Sequence, residues 1–276
     1  MLLRFTKMHG LGNDFVVCDA VTQDINLNSE HIRQLASRHT GIGCDQVLLV
    51  EPPTTADVDF NYRIFNSDGG EVEQCGNGIR CFGKFVHDKR LTGKRDIRVS
   101  TSAGVVEVRM LSGSRVRVNM GAPIFSPADI PFISDSQQDT YRLDTNGQSV
   151  EVSAVSMGNP HAVMLVENCG DAPVAKLGAL IERHEKFPNR VNVGFMQIVD
   201  SGHVNLRVFE RGVGETRACG TGACAAVVAG RQRKLLDRAV DVALPGGQLC
   251  IEWQGGDAPV FMTGSATKVF EGKIRL

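Results

Sequence analysis
The chain's 276 residues, 42% hydrophobic and 22% charged, are enough to bury one large core or two medium ones. A formal net charge of −1, with basic residues scattered, leaves no electrostatic footprint for nucleic acid or an anionic membrane surface, so a small-molecule partner is expected. The opening MLLRFTKMHGLGNDF lacks the apolar core of a secretion signal, and no later apolar run approaches the roughly 20 residues that span a bilayer, which points to a cytoplasmic protein.

Along the chain, Gly12-Asn13 precedes the strand-like run FVV, and Gln46 leads into VLLV. The block YRIFNSDGGEVEQCGNG follows at 62–78. After CGNG, Ile79, Phe82, Val86 and Leu91 approximate helical spacing, which predicts a helix with Gly93 as its stop. Val105–Met110 and Arg115–Met120 alternate around the turn LSGS and predict a hairpin. Further on, Gly158-Asn159 precedes HAVMLV, Asn192 precedes VGFMQIV, and LRVFERGVGETRACGTG occupies 206–222. The run ACAAVVAG that follows is apolar on every face, as in a helix surrounded by protein. Val240–Trp253 reads as a hairpin around PGG, and the tail ATKVFEGKIRL reads as a strand that returns to the first half.

These elements occur twice. YRIFNSDGGEVEQCGNG aligns without a gap on LRVFERGVGETRACGTG with seven of seventeen positions identical, and Cys75 falls on Cys219. Asn13 corresponds to Asn159 and Gln46 to Asn192, each 146 residues on, and VSTSAGVVEV and RVNMGA are echoed by VALPGGQLCIEW and VFMTGS at 143. An ordered series of matches at a nearly constant offset indicates internal duplication. The expected fold is mixed α/β (α+β), with two pseudo-symmetric domains, each a curled, mostly antiparallel sheet around a central helix. Residues 1–119 form the first, with the tail 265–276 returning to it, and residues 120–264 the second.

In both copies a cysteine stands before two glycines separated by one residue, with a helix following. The thiol therefore sits near the helix N-cap, where N–H groups are unpaired and the helix dipole is positive. Such a position binds carboxylates or phosphates, and it stabilises a thiolate, which is expected to bring the cysteine pKa down toward neutrality. Two such motifs facing one cleft can hold a carboxylate between helix N-termini with Cys75 and Cys219 flanking its α-carbon. A thiolate on one face and a thiol on the other then invert the stereocentre without a cofactor. Neither copy of the motif carries a lysine for a pyridoxal Schiff base. CGNGIRC and CGTGAC lack the short CxxC spacing of zinc sites, so no metal is expected. GTGACA fits GxGxxG/A formally but lacks the acidic residue about 20 positions on. The other six cysteines, Cys18, Cys44, Cys81, Cys169, Cys224 and Cys250, read as inert reduced thiols.

MHGLGNDF, GIGCDQ, FNSDGGEVEQCGNGIRC, VSMGNPH, FPNRVNVGFMQ and ERGVGETRACGTGACA, in that order, resemble the blocks of the diaminopimelate epimerases across essentially the whole chain. The resemblance implies two pseudo-symmetric α/β domains, no cofactor, and interconversion of LL- and meso-diaminopimelate in lysine and peptidoglycan synthesis. It makes Cys75 and Cys219 the acid/base pair and Gly76, Asn77, Gly220 and Thr221 the carboxylate cradle, Thr221 standing where the family often has serine. Asn13, Gln46, Asn66, Asn159, Asn192, Glu210 and Arg211 become substrate contacts, with Arg211 able to grip the distal carboxylate by two bonds. His161 and Glu210 are expected to tune the thiols, and Phe270 stands where the family has an aromatic at a homodimer contact. Proline racemases and hydroxyproline epimerases use a similar paired-residue cleft but lack the MHGLGNDF and ERGVGE blocks. Phenazine-biosynthesis isomerases share the fold without the two cysteines. A non-catalytic thiol protein with a reversible disulfide is the reading from another class.

Overall fold
The computed structural model describes residues 1–72, 75–145 and 147–276. The chain divides into two compact units, Met1–Asn119 with Thr263–Leu276, and Met120–Met262. In the first lie β1 (Leu2–Gly10), β2 (Asn13–Asp19), α1 (Ser29–Ala36), β3 (Gln46–Glu51), β4 (Phe60–Asn66), β5 (Glu71–Val72), α2 (Gly76–Asp88), β6 (Asp96–Thr101), β7 (Gly104–Met110) and β8 (Arg115–Asn119). The second contains β9 (Tyr141–Thr145), β10 (Gln148–Ser156), β11 (Pro160–Leu165), α3 (Val174–Glu182), β12 (Asn192–Asp200), β13 (His203–Glu210), β14 (Gly214–Thr216), α4 (Gly220–Gln232), β15 (Ala239–Leu244) and β16 (Gly247–Glu252). Strand β17 (Phe261–Ser265) spans the boundary, and β18 (Thr267–Arg275) pairs antiparallel with β1 in the first unit.

The duplication written in the sequence recurs as topology. In the first unit β2 runs parallel to β3, β3 is antiparallel to β4, and β4 is parallel to β6. The second unit repeats this with β11 and β12 parallel, β12 and β13 antiparallel, and β13 and β15 parallel. Even the register agrees: Phe15 stands opposite Gln46, and His161 opposite Asn192. The ladders β1–β18, β1–β2, β10–β11, β9–β10, β13–β14, β15–β16, β4–β5, β6–β7 and β7–β8 are antiparallel, so the mixed, mostly antiparallel fold is as the sequence predicts.

Each unit wraps its strands about one helix. Helix α2 packs against β1, β2, β3, β7 and β8, and α4 against β10, β11, β12, β13 and β16. This is why ACAAVVAG needs no polar face: every residue from Gly222 to Gly230 is buried. Each buried Val there is worth about 1.5–3 kcal/mol of transfer free energy. On the opposite side of the strands, α1 adds Ile32 and Leu35 to a core with Leu3, Phe5, Val16 and Val47, while α3 adds Val174 and Ile181 to one with Val193 and Phe195.

Helix α2 stops earlier than the sequence predicts, at Asp88 rather than near Gly93. Arg90 takes a left-handed conformation (φ +56°), Leu91 N–H bonds back to Val86 O and Arg90 N–H to His87 O. That pair of bonds is a Schellman stop, with Arg90 in the left-handed position that glycine usually fills. Lys234 (φ +59°), with Leu235 N–H to Gly230 O and Lys234 N–H to Arg231 O, ends α4 in the same way. The predicted hairpins are β7–β8, joined by a 3-10 turn over Ser112–Ser114, and β15–β16.

Candidate active site
Cys75 is the N-cap of α2 and Cys219 the N-cap of α4, both with extended backbone (φ −140°, ψ 116° and φ −122°, ψ 111°). Each thiol thus stands at the positive end of a helix, where the sequence places it.

Around Cys75 the partners come from β2 and the first turn of α2. The Cys75 thiol donates to Asn13 Oδ1 at 3.6 Å, and Asn77 Nδ2 donates to the same oxygen at 3.3 Å. Asn13 is held from behind, its Nδ2 donating to Asp45 Oδ2 at 3.0 Å. Asp45 belongs to an ionic cluster: Arg38 forks onto Asp14 (3.0 and 2.9 Å) and reaches Asp45 Oδ1 (2.7 Å), while Lys7 Nζ donates to Asp14 Oδ2 at 2.6 Å. Burial raises the Asp14 pKa, but the bonds from Arg38 and Lys7 outweigh it and hold the carboxyl well below the usual range. Beneath the helix turn the fully buried Arg80 donates to Asn77 Oδ1 (2.8 Å), Gly76 O (3.1 Å) and Ser265 O (3.4 Å), which orients Asn77. Gln46 Nε2 donates to Asn66 Oδ1 at 2.9 Å across β3 and β4.

The surroundings of Cys219 are different. Its thiol faces the Glu210 carboxylate, whose Oε1 accepts from Thr216 Oγ1 at 2.5 Å. Burial pushes the Cys219 thiol well above its ordinary pKa, and the Glu210 charge adds to that; the Thr221 hydroxyl and the Gly222 N–H pull the other way and are outweighed. The expected lowering toward neutrality is therefore corrected at Cys219. The helix-terminal N–H acts in the predicted direction, but desolvation beside a carboxylate dominates, and the resting residue is a thiol. Glu210 is itself raised by burial, partly offset by the bonds it accepts from Thr216 and Cys219.

His161 is fully buried, and desolvation, with the Arg211 charge, pushes its pKa down to about 3. The neutral ring reaches the thiol only through neighbours. His161 Nε2 lies 2.9 Å from Asn159 Oδ1, which can only accept, so this nitrogen carries the proton. Asn159 Nδ2 donates to Thr221 Oγ1 at 3.4 Å, and Thr221 Oγ1 lies 3.6 Å from Cys219 Sγ. On the next strand Asn192 is buried, donates to Pro160 O at 3.1 Å and accepts the Arg211 N–H at 2.9 Å. The exposed Arg211 side chain rests on Asn189 O at 3.1 Å. Gly220 is buried as the first residue of α4. Phe270 lies on β18 in the first unit, 46% exposed and stacked edge-on against Phe5.

The structure therefore gathers Cys75, Asn13 and Asn77 in the first unit, and Cys219, Glu210, Thr221, Asn159 and His161 in the second. Sequence reasoning missed the supports behind them: Asp14, Arg38, Asp45, Arg80 and Thr216. One signal for Arg80 was present, since it aligns with Cys224 in the other copy and so puts a charge inside one central helix only.

A family model described as diaminopimelate epimerase matches residues 5–126 and 153–269. The chain belongs to the diaminopimelate epimerase family. A diaminopimelate epimerase of Ectopseudomonas mendocina is 59% identical over 276 residues, 100% of both chains, and one of Teredinibacter turnerae is 58% identical with the same coverage. Solved structures share the fold at much lower identity. A hydroxyproline epimerase from Agrobacterium vitis, with bound trans-4-hydroxy-L-proline, superposes with a TM-score of 0.70 at 15% identity, covering 99% of this chain and 92% of that one. A Bacillus anthracis phenazine biosynthesis protein of the PhzF family gives 0.70 at 15% identity and covers 100% of both chains. Both likenesses concern the fold alone, whereas identity near 59% along every residue ties the chain to the diaminopimelate epimerases.

Proposed function
We propose that the protein is an amino-acid epimerase that interconverts LL- and meso-2,6-diaminopimelate by proton transfer at one α-carbon, serving lysine and peptidoglycan precursor synthesis in the cytoplasm. Membership of the family supports the reaction. The observation that carries the mechanism is the placing of one cysteine at the N-cap of each central helix, in equivalent positions of a duplicated fold.

In this scheme the first-turn groups of Gly76, Asn77, Gly220 and Thr221 hold the reacting carboxylate, because helix N-termini favour an anion. One sulfur, as thiolate, takes the α-proton; the other, as thiol, delivers a proton to the opposite face of the carbanion. The two directions interchange the roles. Cys219 rests as a thiol against Glu210. As acid it gives that proton to carbon. As base it must first lose that proton, for which the Glu210 carboxylate beside it is an acceptor. His161 acts without titrating: it fixes Asn159, which fixes Thr221 beside the sulfur.

Asn13, Gln46, Asn66, Asn159, Asn192, Glu210 and Arg211 supply the amides and charges that suit a substrate with two amino and two carboxylate groups. Arg211 grips the distal carboxylate in a two-pronged contact. The proton transfers draw on the two thiols and on Glu210. Phe270, beside the 55% exposed Val269 on β18, is assigned to a homodimer contact.

Chromatography that resolves the isomers tests this reading. Reduced protein given LL-diaminopimelate is expected to produce meso-diaminopimelate, with alanine at either Cys75 or Cys219 nearly abolishing turnover. Racemisation of proline with diaminopimelate untouched would transfer the chain to the proline racemase chemistry, and full activity in either alanine variant would remove that cysteine from the mechanism.

A further inference from the structure
The last residue of α3, Glu182, is 3% exposed, a rare place for a carboxylate. Its Oε1 accepts the Gly212 N–H at 2.7 Å, so the buried charge is spent on the backbone of the turn joining β13 to β14. Its cationic neighbours are looser and wetter: Arg183 Nε at 3.3 Å and Arg190 at 3.7 Å, with side chains 70% and 52% exposed. The preceding amide of the same turn, Arg211 N–H, is held by the buried Asn192 Oδ1 at 2.9 Å. Two consecutive amides are thus pinned by two buried side chains, and the residue between those pins is the one whose guanidinium leaves the turn.

The duplication gives an internal control. At the offset of 146 that relates the strands on either side, Glu182 corresponds to Ala36, the last residue of α1. At the offset of 144, Arg211 corresponds to Ser67. The first unit lacks both the acid and the arginine; the second has both. Ala36 is packed in an apolar core, so the helix end needs no carboxylate for its own sake.

We infer that Glu182 is a positioning residue for Arg211, and that it makes the second unit selective for substrates with a distal carboxylate. The inference rests on the proposed role of Arg211. A hydrogen bond from the Gly212 amide to a buried side-chain oxygen fixes the turn, and it sets the point from which the arginine fork departs.

The test uses the full-length enzyme and α-proton exchange of diaminopimelate in heavy water, measured for wild type, E182A, E182Q, R211A and E182A/R211A. E182A is expected to raise KM roughly tenfold or more with kcat within about threefold, as fits losing a hydrogen bond to a charged group. E182Q keeps an acceptor for Gly212 and stays within about threefold of wild type in both. In the R211A background E182A adds little, because the residue it positions is already gone. Equal losses in kcat/KM from E182A with and without Arg211, or a fall in kcat alone, overturn the inference. Should E182A fail to fold, hydrogen exchange in the wild type decides: a protected Gly212 amide is expected, and free exchange at Gly212 overturns the pin. A wild type that does not turn over diaminopimelate refutes the proposed function instead, before any variant is compared.

Discussion
Replacing Gly78 by alanine places a methyl carbon 2.6 Å from Tyr62 Oη, well inside van der Waals contact. Tyr62 cannot step aside, since its ring is buried and packs edge-on against Phe82 with centroids 5.6 Å apart. Overpacking of this kind costs about 1–3 kcal/mol, and the better helix propensity of alanine returns up to about 1 kcal/mol, so Gly78→Ala is expected to destabilise by about 1–2 kcal/mol. Tyr62 Oη is also a buried hydroxyl with no hydrogen-bond partner among the described residues. Deleting it in Tyr62→Phe is expected to stabilise the protein by about 1–2 kcal/mol. In that background the next atoms to meet the new methyl, Ile64 Cδ1 and Phe15 Cε1, stand at 3.4 Å, an ordinary contact. Gly78→Ala then becomes neutral or mildly stabilising, a coupling of about 2 kcal/mol. Urea unfolding of the four proteins measures it. Coupling below about 0.5 kcal/mol, or a clear loss of stability in Tyr62→Phe alone, refutes the explanation of why the second glycine of CGNG is a glycine.

His161 should show no imidazole titration between pH 5 and 9 by NMR, given a pKa near 3; a midpoint near 6.5 contradicts its burial as a neutral donor. Glu210→Gln removes a negative charge beside a thiol already raised by burial, so iodoacetamide should alkylate Cys219 at lower pH than in wild type, and an unshifted pH profile contradicts the contact. Asp14 has a depressed folded pKa, so its contribution to stability is present above the unfolded value of about 3.9 and is lost as pH falls toward the folded one. Asp14→Asn should therefore cost about 2 kcal/mol at pH 7, with the gap to wild type closing below about pH 4 in equilibrium unfolding; a gap independent of pH contradicts the ionic account.

Much of this was legible because a duplication writes each element twice. The all-apolar ACAAVVAG located a buried helix, the alternating runs located the hairpins, and a cysteine ahead of two glycines located both N-caps. What escaped was set by tertiary contact. Gly78 stood out only as part of the CGxG motif, and the atom pressing on it is the hydroxyl of Tyr62 from β4. The helix N-terminus argued for a low thiol pKa, but at Cys219 burial beside Glu210 reverses the sign, and burial is a property of the packed unit. His161 was legible as a nearby titratable ring; only its desolvation reveals that it works as a fixed donor. Asp45, Arg38 and Glu182 act at one remove from the thiols, through Asn13 or Arg211, and sequence pattern favours the residues at the centre over those that hold them.

The central claim is that two thiols exchange protons with one α-carbon. Incubation of reduced protein with LL-diaminopimelate in heavy water tests it most directly, with mass spectrometry of the meso product at early times. The account predicts one solvent deuteron at the inverted α-carbon and none at the other. Meso product that retains the original proton, or no exchange at all by the reduced protein, contradicts it.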